Sequence, residues 1–185
     1  NHSFGIISSI GGTLYGIKGI LLSWFDAGKS LELIERYKCS YAGVVPTMLA
    51  MLLNHPDAEQ ADTSSMDRWI VSGAPLPMEL YTRFEKTFHG KILEGYGLTE
   101  ASPGVSLNRP DGVYKPGSAG QAFAGVELTI RDEQGNVLPP NTAGEICVRG
   151  PNVMKGYFNK PEATAQTIVD GWLHSGDVGC LDEEG

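Results

Sequence analysis

The stretch Gly95-Tyr96-Gly97-Leu98-Thr99-Glu100 sets an aromatic ring between two glycines and follows it with a hydroxyl and a carboxylate. Those residue types could hold something flat, something phosphorylated and a metal. Gly95 and Gly97 would let backbone come close to a ligand. Tyr96 offers a face for stacking an aromatic base. Thr99 offers a hydroxyl to a phosphate oxygen. Glu100 could hold Mg²⁺, which typically takes one or two carboxylates together with phosphate oxygens. A plain turn, with Tyr96 in the core and Glu100 solvated, accounts for the same six residues.

Two other stretches carry the same double reading. Ser72-Gly73-Ala74-Pro75-Leu76-Pro77 has small residues against which a planar ring could lie; the alternative is a helix start whose angle is set by two prolines. In Gly171-Trp172-Leu173-His174-Ser175-Gly176-Asp177, Asp177 could accept two hydrogen bonds from a ribose diol; the alternative is an Asx-turn, in which Asp177 bonds its own backbone.

The elements that must position these residues follow from apolar patterning and punctuation by 24 glycines and 11 prolines. Residues 17–25 read as a buried strand. Residues 30–37 read as a helix with Leu31, Ile34 and Tyr37 on one face and Ser30 as its cap. Residues 41–45 read as a strand, and Pro46-Thr47 opens a helix through Asn54, with Met48, Met51 and Leu52 on its packed face. Residues 69–72 form a strand, residues 77–88 a helix with Leu80, Phe84 and Phe88 four apart, and residues 91–94 the strand that runs into Gly95. Strand and helix alternate as in a parallel sheet with crossover helices, where ligands bind beyond the carboxyl ends of strands. The character changes near Asp111-Gly112. Residues 126–131 and 145–149 alternate about a hairpin-like turn at 132–136, the pattern of a small β-barrel-like module. The expected organisation is an α/β subdomain over 1–112 and a β-barrel-like subdomain over 113–185.

The formal net charge of −8 argues against nucleic acid as the main partner, since phosphate backbones select basic surfaces. A nucleotide needs only a local cluster of donors. Cys39, Cys147 and Cys180 form no CxxC pair and read as reduced core thiols, with no zinc site. The first residues lack the basic stretch and apolar run of a signal peptide, and no apolar segment reaches the roughly 18 residues needed to span a membrane, so a cytoplasmic protein is expected. His55 and His89 read as surface residues, and Arg149 and Lys155 as solvated or structural cations.

A further ordered set of motifs completes the picture: Gly144-Glu145-Ile146-Cys147-Val148-Arg149-Gly150, then Gly156-Tyr157, then Pro161-Glu162-Ala163-Thr164. Taken with GYGLTE, GWLHSGD, Val44-Val45-Pro46-Thr47-Met48 and His2-Ser3-Phe4-Gly5, the chain resembles the adenylate-forming (AMP-binding) enzymes over nearly its whole length. That superfamily comprises acyl-CoA synthetases, aryl-CoA ligases, firefly-type luciferases and peptide-synthetase adenylation domains. The resemblance implies an enzyme that activates a carboxylic acid with ATP and Mg²⁺, forms an acyl-adenylate and pyrophosphate, and passes the acyl group to coenzyme A.

By that resemblance Gly73, Ala74 and Pro75 would line the adenine and Tyr96 would stack on it, with Glu94, Gly95 and Gly97 at the ligand-facing turn. Thr99 would contact the α-phosphate, Glu100 would hold Mg²⁺ and Asp177 would bind the ribose hydroxyls. His2 and Phe4 match an H-x-F-G stretch near the acyl pocket and the reacting carboxylate, and His2 is a candidate catalytic residue. Leu98, where peptide-synthetase domains more often carry Pro, favours an acid:CoA ligase; a luciferase and a non-catalytic nucleotide-binding module are the alternatives. Gly11, Gly12 and Gly16 are compatible with an open acyl tunnel, hence a fatty or aryl acid. The family's phosphate-binding loop, the Arg after the ribose-binding Asp and the C-terminal domain with its adenylation Lys do not occur in these residues. The 185 residues therefore resemble the middle of a longer enzyme, expected to be inactive alone. Residues 154–160 would pack on the missing N-terminal subdomain, and the chain alone is expected to self-associate through exposed apolar surface.

Overall fold

The computed structural model describes residue 5, residues 12–109 and residues 111–185. His2, Phe4 and Gly11 lie outside the described residues. The chain folds as two compact units and passes between them more than once: Asn1–Gly95 with Asn108–Ala119 form one, Tyr96–Leu107 with Gly120–Gly185 the other.

The first unit is built on three parallel strands, β1 (Tyr41–Val44), β2 (Arg68–Val71) and β3 (Lys91–Gly97, of which Lys91–Gly95 belong to this unit). β2 pairs with both others, with Tyr41 opposite Arg68 and Val71 opposite Glu94. Helices α1 (Ala27–Tyr37), α2 (Pro46–Leu53) and α3 (Met78–Thr87) supply the covering layers. Helix α1 starts because Asp26, in extended backbone, accepts the Lys29 amide N–H at 2.6 Å. Ser30 is not the cap: its hydroxyl donates back to the Asp26 carbonyl from inside the helix. Leu31 and Ile34 are buried as the helical spacing requires, but Tyr37 is exposed, with Lys18 and Arg36 against its ring. Pro46 opens α2 at a position where the missing N–H costs nothing. Its buried face is Leu49, Leu52 and Leu53, so Met51 points out; spacing of three and four, not the methionines, defines the stripe.

The core centres on Trp69, which stacks on Phe88 and meets Phe84 edge-on, with ring centroids 5.7 and 5.6 Å away. Its indole N–H donates to the His89 carbonyl, so the ring is buried without an orphaned donor. His89 itself is exposed, whereas His55 packs against Gly28 of α1, where a Cβ would fall 2.7 Å from its Nε2. The segment 108–119 returns to β3 and is pinned by buried Asn108, whose amide donates to the Lys115 and Ser118 carbonyls.

The apolar run 17–25 is not the buried strand its composition suggests. Gly16 takes a left-handed φ of 67° and closes the preceding helical turn, and none of these residues joins a strand. Leu21 and Trp24 are about four-fifths exposed. An apolar run becomes a buried strand only where neighbouring strands and covering layers meet it, and among the described residues none pairs with it.

The second unit is antiparallel. β4 (Gly104–Leu107) pairs with β5 (Gln121–Ala122). β6 (Glu127–Arg131), β7 (Gly144–Arg149), β8 (Ile168–Val169) and β9 (Trp172–Gly179) form a sheet in the order β6-β7-β9-β8. The register between β7 and β9 shifts between Glu145 and Cys147, a bulge that bends the sheet. Helix α4 (Pro161–Thr167) precedes β8. Ala101, Val105, Val148 and Leu173 make the core. The turn at 132–136 is held by Asp132, whose carboxylate accepts the Gln134 and Asn136 amides. Arg149 pairs with Glu127 and lies over the Trp172 ring at 4.4 Å, a structural use of that cation. The chain is thus an α/β unit with a parallel sheet and a smaller antiparallel, barrel-like unit.

Phe84→Ala, which empties a fully buried site beside Trp69, is expected to cost about 3–5 kcal/mol in urea unfolding. Trp24→Ala, at a residue 85% exposed, is expected to stay within about 0.5 kcal/mol of the parent.

Candidate functional site

In the first unit the parallel register sets the site-bearing loops side by side. Val71 ends β2 opposite Glu94, so the turn at Gly73, Ala74 and Pro75 leaves the carboxyl end of β2 next to Gly95 at the end of β3. Gly73 has a left-handed φ of 89°, which lets the chain reverse there, and all three turn residues are exposed. Glu94 turns inward. It is buried, and its carboxylate accepts the Gly117 N–H at 2.6 Å. Burial pushes its carboxyl above the ordinary value despite that bond. The side chain ties the returning segment to β3, and Gly95 follows it to the surface.

In the second unit the chain turns immediately after β3. The Gly97 backbone lies against the Pro103 carbonyl, so a Cβ there would sit 2.0 Å from that oxygen. Leu98 N–H donates to the same carbonyl, and Thr99–Ala101 form one 3₁₀ turn. This turn presents Thr99 exposed and Glu100 half-buried. The Glu100 carbonyl accepts the Met154 N–H, and its carboxylate Oε1 accepts the Tyr157 hydroxyl at 2.8 Å. One carboxylate oxygen is thereby oriented.

Tyr96 is half-buried, and its hydroxyl donates to Asp177 Oδ2 at 2.6 Å. Burial, then the Asp177 carboxylate, raise the phenol far above its ordinary pKa, so it stays protonated and remains a donor. Asp177 is exposed, and its own amide donates to the Ser175 hydroxyl. The residues proposed for base and ribose are therefore joined although 81 positions separate them.

Beside Asp177 stands a cluster with no role assigned from sequence. Glu145 Oε2 lies 2.7 Å from His174 Nδ1, Glu145 Oε1 accepts the Gly176 N–H at 3.0 Å, and Cys147 Sγ lies 3.5 Å from the same His nitrogen. Three metal-ligating atoms thus fall within 4.8 Å of one another. The bonding is that of a hydrogen-bonded cluster: both Glu145 oxygens have partners, and burial, reinforced by the Glu145 charge, pushes the Cys147 thiol up to about 11, where it holds its proton. Tyr157 and Glu145 escaped the sequence reading because their partners lie 57 and 29 or more residues away. Of the three thiols Cys147 is buried, Cys39 is half-buried and Cys180 is exposed, so Cys180 is not a core residue.

Comparison with known proteins matches the model of the AMP-binding enzyme family to residues 1–158. The chain belongs to the AMP-binding enzyme family. It is 41% identical, over its whole length, to a long-chain-fatty-acid–CoA ligase of Bacillus subtilis, of which it covers 33%. It is 42% identical over 90% of its length to a feruloyl-CoA synthase of Amycolatopsis sp, covering 34% of that protein. It is 36% identical to a luciferin 4-monooxygenase of Nipponoluciola cruciata, covering 34% of it. Among solved structures, the O-succinylbenzoate coenzyme A synthetase of Bacillus subtilis, in complex with ATP and magnesium, superposes on all of this chain with a TM-score of 0.87 at 32% identity, the chain covering 38% of it. The chain spans about a third of the length of these relatives.

Two outcomes follow. A disulfide-exchange reagent at pH 8 is expected to label Cys180 rapidly in the folded protein and Cys147 only after unfolding; fast labelling of Cys147 in the folded state would contradict its burial. Burial alone would raise the Glu145 carboxyl, but His174 and the Gly176 N–H outweigh it and hold the carboxyl below its ordinary value. Its contribution to stability is therefore complete above the unfolded value and is lost as pH falls through the folded one. Glu145→Gln is expected to flatten the acid limb of a stability–pH curve in that window.

Proposed function

We propose that the chain forms the base-, ribose- and phosphate-contacting part of an ATP-dependent acid:CoA ligase. The observation that carries the reading is the Tyr96–Asp177 hydrogen bond, which unites the GYGLTE and GWLHSGD motifs in a chain of the AMP-binding family. The parent protein would join a carboxylic acid to the α-phosphorus of ATP, releasing pyrophosphate, and then transfer the acyl group from the adenylate to the thiol of coenzyme A with loss of AMP.

The residues suit that work. The exposed turn Gly73–Pro75 and the emerging Gly95 offer small side chains and backbone to adenine, and the Tyr96 ring offers a stacking face. Asp177 can accept from the ribose hydroxyls while Tyr96 donates to one of its oxygens. Thr99 would donate to the α-phosphate, and a preorganised donor aimed at developing charge is worth more in a closed site than in water. Glu100 would hold Mg²⁺, which neutralises phosphate charge when bound. Catalysis here is mainly positioning of acid and phosphate. His2 is assigned to the carboxylate end of the acid, by its motif alone. The relatives' names make a long-chain fatty acid or a hydroxycinnamic acid the acids to try first. No helix is long and apolar enough to cross a membrane among the described residues, and we place the enzyme in the cytoplasm. Identity to luciferin 4-monooxygenases keeps a light-emitting oxidation as the second reading.

The test is pyrophosphate release by the full-length protein with ATP, Mg²⁺ and a panel of acids, followed by CoA-dependent AMP formation. Asp177→Ala and Glu100→Ala are each expected to lower kcat/KM for ATP by about 10²-fold, and chelation of Mg²⁺ to abolish turnover. Nucleotide binding without pyrophosphate release would favour a non-catalytic module, and light with luciferin but no thioester would favour the second reading.

A further inference from the structure

We propose that Glu145 is a positioning residue for Asp177, holding the bulge that presents its carboxylate to the ribose; this rests on the ligase reading above. The strand register shows the bulge directly. Val148 pairs with Leu173 and Cys147 with His174, but the next partners are Glu145 with Val178 and Gly144 with Gly179. Two steps along β7, from Cys147 to Glu145, therefore face four along β9, from His174 to Val178. Three residues of β9, Ser175, Gly176 and Asp177, thus lie opposite Ile146 alone, and the register gives none of them a ladder partner.

Side chains hold them instead. Gly176 takes a left-handed φ of 75°, and its N–H donates to Glu145 Oε1. His174, at the start of the bulge, meets Glu145 Oε2. Glu145 thus grips the segment at both His174 and Gly176 with one carboxylate. The Ser175 hydroxyl donates to the Ile146 carbonyl at 2.7 Å and accepts the Asp177 N–H at 3.1 Å, a second tie to β7. Asp177 follows directly, its carboxylate accepting from Tyr96. An N–H oriented by an ionised acceptor is a stronger constraint than one oriented by a neutral group. Glu145 touches no ligand in this account; it acts through the geometry of Asp177, one peptide bond beyond its grip on Gly176.

A merely structural Glu145 and a positioning one differ in how they affect ribose recognition. If Asp177 reads the ribose hydroxyls, the full-length enzyme prefers ATP to 3′-deoxyATP. Glu145→Ala is expected to erase most of that preference and to raise KM for ATP about 10-fold with a smaller fall in kcat. Glu145→Gln keeps an oxygen for the Gly176 N–H and is expected to restore most of it. Gly176→Ala forces a side chain into left-handed backbone in otherwise open space and is expected to lose the preference without touching Glu145. This second route serves if Glu145→Ala fails to fold. Asp177→Ala separates the two readings. If it keeps the wild-type preference, the ribose assignment is wrong. If it loses the preference while folded Glu145→Ala keeps it, the positioning role is wrong. Stoichiometric zinc in the purified protein, lost on either Glu145→Ala or Cys147→Ser, would overturn the hydrogen-bonded arrangement in favour of a metal site.

Discussion

The close approach of Gly97 to the Pro103 carbonyl is the constraint on which the candidate site depends. Any Cβ at 97 would collide with that oxygen. With none, the chain can fold back at once, spend the Leu98 N–H and the Pro103 carbonyl on each other, and close a single 3₁₀ turn. That turn sets the positions of Thr99 and Glu100. Without the reversal, the residues after β3 would continue as strand, and their side chains would alternate between two faces. The second glycine of GYG is therefore demanded by backbone contact within the turn, quite apart from any ligand.

In each unit, buried or half-buried polar side chains hold irregular backbone that apolar packing could not. Glu94, Asn108, Asn152 and Glu145 each bond backbone groups of irregular segments: Glu94 and Asn108 hold 108–118, Asn152 donates to the Ala101 and Gly104 carbonyls, and Glu145 holds the 174–176 bulge. Loops near ligand sites carry few ladder bonds, and buried backbone groups left unpaired are costly. Charged and amide side chains at fixed places in neighbouring segments answer both needs.

The sequence disclosed the regular elements where pattern and context agreed. β1, β2 and β3 were legible as short apolar runs between turn residues, and the helix at 78–87 from its four-residue spacing. The same logic misread 17–25, because composition says that a run prefers burial but not whether neighbours exist to bury it. Ser30 as the cap starts the helix too late: Asp26, in extended backbone, caps it instead, and sequence alone does not show which residue takes that conformation. The order of GYGLTE and GWLHSGD along the chain marks their residues as candidates, and folding joins the two motifs through Tyr96 and Asp177. The bonds that fix them were not legible, since Tyr157 with Glu100 and Glu145 with Gly176 are brought together by tertiary folding alone.

The central claim is that Tyr96, the 3₁₀ turn and the β9 bulge, all in the second unit, serve one nucleotide. Backbone amide NMR of the protein titrated with AMP tests it most directly. The account predicts saturable shifts concentrated at 96–100 and 174–178, with the 132–136 turn unmoved. Shifts confined to other segments, or none at millimolar AMP, would contradict it.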